Sequence, residues 1–157
     1  MRRKDREITN LNEKLEIISK CKVCRLALAE DNVPYVVPLN FGYSFDNEIL
    51  TLYFHGAKEG RKIDILRKND QACFEMDCDT KLIEAKTASN YSYAFKSIIG
   101  SGKVYFIDDA QEKHRALNFL MKHQTGNDTE YCFSDSDLAR TAVYKLVVDE
   151  FSGKKRE

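Results

Sequence analysis

Residues 53–62 read Tyr-Phe-His-Gly-Ala-Lys-Glu-Gly-Arg-Lys and join the end of a strand pattern to the start of a helix. Gly56 and Gly60 allow tight backbone there, and free N–H groups at a helix start favour an anion. Arg61 and Lys62 add a planar fork and a point charge, which commonly bind phosphate. The stretch therefore predicts a phosphate site, with a solvated helix start as the alternative interpretation.

Strand patterns precede this stretch. Residues 23–29 alternate, residues 34–45 are extended, and residues 49–54 are rich in β-forming side chains. Three such runs in succession indicate an antiparallel meander. Pro38 predicts a sheet edge or a bulge, because proline cannot donate to a central ladder.

Further elements lie on either side of these strands. A helical face of Ile8, Leu11, Leu15 and Ile18 comes first, capped by Thr9 or Asn10. After residue 61 the pattern predicts a helix over 62–68, strands over 71–77, 81–87 and 93–107, a helix from Asp108 or Asp109 to Gly126, a polar loop over 127–137, a strand over 141–148 and a charged tail over 152–157. Gly100 and Gly102 suggest a bulge or a close backbone approach. Six or seven strands without regular strand–helix alternation predict an α+β protein with a closed or split β-barrel.

Length and charge limit the function classes. A chain of 157 residues fits one domain, here taken as residues 1–157. Equal counts of 25 basic and 25 acidic residues argue against coating nucleic acid or lying on an anionic membrane. We therefore expect neither nucleic acid nor membrane as a partner. Neither a spanning apolar run nor a signal-like start is present, so we expect a cytoplasmic protein.

Five cysteines allow two interpretations. Four of them, Cys21, Cys24, Cys73 and Cys78, could supply thiolates to a zinc ion, or the first two could form a redox pair. The CxxC sits where a helix ends, however, and the second pair lies in a predicted strand. Ordinary half-buried cysteines are the favoured interpretation, and no metal site is expected.

Two strand segments and one histidine could complete a ligand site. Residues 37–41, Val-Pro-Leu-Asn-Phe, offer an apolar wall and one amide, which suits a planar heteroaromatic ring; an ordinary core strand is the alternative. Residues 97–102, Ser-Ile-Ile-Gly-Ser-Gly, place small side chains where a ligand could approach. His55, at a strand end, could bind a cofactor or move a proton near neutral pH, although it could equally be structural.

Together these segments resemble the flavin-binding split-barrel superfamily of pyridoxamine 5′-phosphate oxidase, and within it the nitroimidazole-resistance (Nim-type) branch. The resemblance covers nearly the whole chain. It implies a six-stranded antiparallel split β-barrel with a few flanking helices, forming a homodimer with two FMN molecules at the subunit interface.

The resemblance also implies residue roles. Arg61 and Lys62 match the pair that holds the FMN phosphate, and Gly60 stands where the oxidases tend to have serine. The remaining matches flank the ribityl chain and the ring, with Ser97 serving the site across the interface: Val37, Pro38, Leu39, Asn40, His55, Gly56, Ala57 and Ser97. The oxidase's substrate-phosphate residues have no evident counterpart, which favours the reductase-like branch.

The expected function is therefore FMN-dependent reduction of a small acceptor, such as a nitroaromatic, with electrons from NAD(P)H as a transient partner. His55 is the candidate catalytic proton donor. Two alternatives stay open from the sequence. One is a flavin-binding redox sensor or carrier without catalysis, and the other is a haem-binding split barrel in which His55 becomes an axial ligand.

Overall fold

Eight strands form one sheet in the computed structural model, which describes residues 3–157. The strands are β1 (Glu7–Ile8), β2 (Val23–Glu30), β3 (Val33–Asn40), β4 (Gly42–Asp46), β5 (Ile49–Ala57), β6 (Gln71–Ile83), β7 (Ser92–Ile107) and β8 (Thr141–Arg156). The helices are α1 (Leu11–Lys20), α2 (Arg61–Lys68), α3 (Ala110–Thr125) and α4 (Asp135–Arg140). Two single 3-10 turns cover Lys4–Arg6 and Ala88–Asn90.

All the strand pairs are antiparallel, in the order β3-β2-β6-β7-β8-β5-β4, with β1 joined to β8. The sheet starts at β3 and ends at β4, so the barrel is split, which confirms the α+β split-barrel class. The expected count of six strands was too low. β1 has only two residues, too few for a visible period, and the extended run over 34–45 divides into two strands.

The predicted meander of three strands is therefore wrong in part. β2 and β3 form a hairpin, but β4 pairs with β5 at the other end of the sheet. The division falls at Phe41, whose side chain is fully buried. At the next residue a Cβ on Gly42 would lie 2.3 Å from the backbone nitrogen of Leu120, so β4 can approach α3 this closely only with glycine.

Three other boundaries differ from the sequence pattern. β6 is one strand with an irregularity between Cys78 and Lys81, where two strands were expected. The polar loop ends early, because Ser134 caps α4 by accepting a bond from the amide of Asp137. The charged tail lies within β8, since its backbone pairs with β7 and β1 although few of its side chains are apolar.

Several local predictions are confirmed. Pro38 lies on β3, the edge strand. The β7–β8 register shifts between Ser101 and Gly102. Asn10 caps α1 and Asp109 caps α3, which ends at Gly126 in the left-handed region. Each case follows from a local preference of backbone or side chain that needs no distant partner.

Two apolar clusters hold the elements together. The larger fills the barrel and receives one face of α2, through Ile63, Ile65 and Leu66. The smaller lies between the outside of the sheet and the helices α3 and α4. The first cluster fixes α2 across one end of the barrel, which places its N-terminus beside the end of β5.

Candidate functional site

The N-terminus of α2 is the centre of the candidate site. Gly60 precedes it with φ of 120°, a conformation that favours glycine, and it provides no capping side chain. The amides of Ile63 and Asp64 bond to the Gly60 carbonyl at 2.9 and 3.1 Å. The amides of Arg61 and Lys62 precede these bonds, so they are the N–H groups that the helix start offers to an anion.

Lys62 turns back over the end of β5. A Cβ on Gly56 would lie 3.0 Å from the Lys62 Nζ atom and 3.4 Å from its Cε. The ammonium group therefore occupies the space that a side chain at position 56 would fill. This contact brings the predicted residues of β5 and α2 together at one point.

Arg61 lies against a residue that the sequence did not single out. Its guanidinium carbon is 4.8 Å from the centroid of the Tyr35 ring, which is half-buried on β3. No local motif marks Tyr35. Its only signal in the sequence is an aromatic residue at an inward position of an edge strand. That pattern is as typical of a core residue as of a residue in a ligand site.

Within residues 3–157, neither Arg61 nor Lys62 forms an ion pair with a carboxylate. Other cations near the sheet are paired: Arg25 binds Glu75 and Asp77, and Lys68 binds Glu30. Two unneutralised cations beside helix amides make this end of α2 a site for negative charge.

His55 lies on the outer face of β5, opposite Val143 of β8. The side chain is exposed, but packing on one side lowers its pKa from the usual value, and the positive charge of Lys62 lowers it further. The imidazole is therefore mostly neutral at pH 7. It is close enough to Lys62 for the two charges to interact, which places His55 at the border of the site.

The predicted apolar wall on β3 has two faces. Val37 and Leu39 pack against the core, whereas Pro38 and Asn40 face outward, because side chains alternate along a strand. The Asn40 amide donates to the Lys22 carbonyl and to Gln124 Oε1, both at 3.3 Å. Asn40 lies five residues beyond Tyr35, about 16 Å along the strand.

Ser97 is not part of the same cluster. His55, Val143 and Ile107 stand in register across β5, β8 and β7, and Ser97 lies ten residues from Ile107, about 30 Å along β7. Ser97 instead faces outward between Asp77 and Lys154. One chain therefore brings together the residues of β5 and α2, but it does not bring Ser97 to them.

The cysteines take no part in this cluster. Burial raises the pKa of the Cys21 thiol to about 12, and the pKa of Cys24 is raised further for the same reason. Both therefore stay protonated, whereas Cys73 is exposed on the outer face of β6. In the part of the chain that the structure describes, no group of three or more His, Cys, Asp or Glu residues is arranged to hold a metal ion.

The other two histidines are on α3, away from this site. His123 is buried, and its Nε2–H donates to the Cys21 carbonyl at 2.7 Å while its ring packs against Phe41. The His114 ring packs edge-on against Phe133. Both serve the packing of α3 in this structure.

Comparison with known proteins gives the family. The family model for pyridoxamine 5′-phosphate oxidase matches residues 11–155. The chain belongs to the pyridoxamine 5′-phosphate oxidase family. A solved structure from Bacteroides thetaiotaomicron, described as a candidate 5-nitroimidazole antibiotic resistance protein, is 33% identical with a TM-score of 0.82. The alignment covers 95% of this chain and 86% of that one, which confirms the resemblance to the Nim-type members of the family.

More distant structures share the fold. The flavocytochrome Anf3 of Azotobacter vinelandii is 21% identical with a TM-score of 0.83, over 100% of this chain and 72% of that one. An FAD- and haem-binding protein of Mycobacterium smegmatis is 20% identical with a TM-score of 0.84, over 97% and 74%. Among curated proteins, no sequence matches the chain. Over residues 3–157, none of the helices is long and apolar enough to cross a membrane.

Proposed function

We propose that this member of the pyridoxamine 5′-phosphate oxidase family is a flavoprotein that binds FMN and reduces a small acceptor, such as a nitroaromatic, with electrons from NAD(P)H. The observation that carries the proposal is the paired cation site at the start of α2, formed by Arg61, Lys62 and the helix amides. The 33% identity to a candidate nitroimidazole resistance protein supports the acceptor class.

The residues at α2 fit the phosphate end of FMN. A terminal phosphate is a dianion at neutral pH, and it matches two unneutralised cations at one helix N-terminus. Arg61 can hold two phosphate oxygens with its fork, while Lys62 acts as a point charge over Gly56. The absence of a side chain at Gly60 leaves room for the phosphate, at the cost of a serine hydroxyl contact.

The remaining predicted residues extend from this anchor. The backbone of His55, Gly56 and Ala57 leads away from the phosphate end, and the outward positions Pro38 and Asn40 of β3 offer a border for the ring. A bound flavin supplies the electron transfer, while the protein supplies anchoring, orientation and a shielded pocket. In this proposal a ring nitrogen of His55 gives a proton to the reduced acceptor.

We also propose that the active form is a homodimer in the cytoplasm with two FMN molecules at the subunit interface. Ser97 lies about 30 Å along β7 from Ile107, which is in register with His55, so in this proposal it serves the site formed with another copy. It shares the outer sheet face with Pro38, Arg25, Glu75 and Ile99, which form one row across four strands.

The test is FMN binding by a charge variant and a matched control. Replacing Arg61 and Lys62 with alanine removes the proposed anchor, and we expect FMN affinity to fall about 100-fold, since two charge-assisted contacts are lost. Replacing Arg67 and Lys68 with alanine removes the same residue types from the other end of α2. We expect this control to retain FMN, measured by quenching of flavin fluorescence. Equal affinities in both double variants would refute the phosphate site.

A spectrum of the purified protein separates the alternatives. Flavin bands, with FMN released on heating, support the proposal, and turnover of an added nitroaromatic with NADH or NADPH supports an enzyme over a carrier. A Soret band would instead favour haem, which is bound by the fold neighbours from Azotobacter and Mycobacterium. In that case His55 would be the first ligand to test.

A further inference from the structure

We propose that Tyr35 is a positioning residue for the phosphate anchor, holding the Arg61 guanidinium by a cation–π contact so that the site prefers phosphorylated flavins. The inference rests on the proposed function. It adds a residue on β3, remote in sequence from the predicted phosphate motif, to the residues that set ligand specificity.

The geometry is that of a cation over an aromatic face. The guanidinium carbon of Arg61 is 4.8 Å from the Tyr35 ring centroid, within the roughly 6 Å at which such contacts are attractive. Tyr35 is itself fixed, because it is half-buried against the barrel core on a strand that pairs with β2 along its whole length. Because the ring is held in position, it gives the flexible Arg61 side chain one preferred position.

A contact with an aromatic ring leaves the guanidinium charge free to bind an anion. A ring is not a carboxylate, so it neither forms an ion pair with the five N–H donors nor neutralises the charge. A carboxylate in the place of Tyr35 would instead occupy those donors and neutralise the charge. In the part of the chain that the structure describes, Arg61 has the ring as its neighbour and no carboxylate within salt-bridge distance.

This contact also spans the split in the sheet. Arg61 follows β5, which lies near one end of the strand order, whereas Tyr35 lies on β3 at the other end. The pair therefore links the two elements that border the proposed flavin. The phosphate-binding side chain is held by the same strand that carries Pro38 and Asn40.

The experiment compares FMN with riboflavin, which lacks the phosphate. We expect Tyr35→Leu to weaken FMN binding about fivefold, the change that corresponds to a cation–π contact of about 1 kcal/mol, and to leave riboflavin binding unchanged. Tyr35→Phe keeps the ring, and we expect its affinity for FMN to lie within about twofold of the wild-type affinity. Tyr35→Ile repeats the first test with a residue that favours strands, should the leucine variant unfold.

A matched control is available on β7. Lys103 Nζ lies 5.8 Å from the Tyr105 ring, so Tyr105→Leu removes a comparable cation–ring contact near the C-terminal end of α2, away from the phosphate anchor. We expect this variant to bind FMN and riboflavin as the unchanged protein does. Thermal melting of each variant checks the fold.

The outcomes distinguish a failure of the Tyr35 role from a failure of the phosphate site. Equal losses of FMN and riboflavin binding in Tyr35→Leu would overturn the inference, because they would make Tyr35 a wall of the ring pocket or a purely structural residue. Unchanged FMN binding in both Tyr35→Leu and Tyr35→Ile would also overturn it. If the unchanged protein binds FMN no better than riboflavin, the phosphate site itself fails, and with it the proposed function.

Discussion

The Tyr144 hydroxyl is a polar group buried inside the barrel. In residues 3–157 it is the one fully buried side-chain nitrogen or oxygen without a hydrogen-bond partner. Its ring stacks with Phe54 at 5.5 Å and lies 5.8 Å from Phe106. Burial raises the pKa of this hydroxyl, so it stays protonated. The ring packs well, whereas the hydroxyl has no hydrogen-bond partner among the protein groups around it.

We therefore expect Tyr144→Phe to stabilise the fold. Removing an unsatisfied buried hydroxyl relieves a desolvation cost of about 1 kcal/mol or more, and the ring contacts stay. The free energy of unfolding in urea measures the change. Tyr53→Phe is the control, because the Tyr53 hydroxyl bonds to Ser44 Oγ at 3.1 Å, and its loss should destabilise by about 1 kcal/mol. A loss of stability in Tyr144→Phe would mean that the hydroxyl has a partner in solution.

His55 gives a prediction in pH. Its pKa is lowered by partial burial and by Lys62, so the protonated form exists only at acid pH. If His55 is the proton donor, its contribution to turnover is present below this pKa and is lost as pH rises through it. We expect His55→Ala to reduce turnover by about 100-fold at acid pH, where general acid catalysis contributes, and much less at pH 8.

FMN binding by the His55→Ala variant is the matching control. We expect it to be unchanged, because the phosphate is held by α2. A full rate at every pH in that variant would make His55 structural. A uniform loss across pH would indicate a contribution to orientation and not to proton transfer. The pH profile of turnover in both proteins distinguishes these results.

At the level of elements, the contact of β4 with α3 depends on one missing side chain. A Cβ on Gly42 would lie 2.3 Å from the Leu120 nitrogen and 2.4 Å from its Cα, both backbone atoms that cannot move aside alone. Gly42→Ala must therefore push β4 away from α3. We expect it to destabilise the fold by about 3 kcal/mol, the upper range for overpacking, as measured by urea unfolding.

Gly126 is the control for that substitution. A Cβ there meets nothing within 4 Å, so Gly126→Ala adds only the strain of its left-handed backbone, about 1 kcal/mol. Equal effects at the two positions would show that crowding against α3 is not the reason for the glycine at position 42.

The same elements show why sequence reasoning succeeded in some places and failed in others. The helix caps at Asn10 and Asp109 and the edge position of Pro38 follow from local chemistry, and they were predicted correctly. The jump from β3 to β4 depends on which distant strand each one pairs with, and the alternation of side chains does not contain that information. Tyr35 was missed for the same reason, since its partner Arg61 lies 26 residues later.

At the level of the whole molecule, the outer sheet face gives the last prediction. Ile99 on this face is 50% exposed, and Val36 is 58% exposed. If the proposed dimer forms through this face, Ile99→Lys places a charge in the interface. We therefore expect this variant to sediment as a monomer in analytical ultracentrifugation and to bind FMN more weakly. Ile49→Lys is the control, because Ile49 is 48% exposed but lies on β5, away from the strands β3, β2, β6 and β7 that carry the row. Unchanged assembly in Ile99→Lys would exclude this face as the interface.

The position of β8 has a consequence for how the chain is made. β8 joins β7 to β5, and it is later in the chain than every other strand. During synthesis, two parts of the sheet therefore emerge before the strand that joins them. One part consists of β2, β3, β6 and β7, and the other is the β4–β5 hairpin. The edge of each part that will pair with β8 is still unpaired. Pairings over such sequence distances form slowly, and unpaired edges invite aggregation. The nascent protein should thus depend on chaperones until its last strand leaves the ribosome.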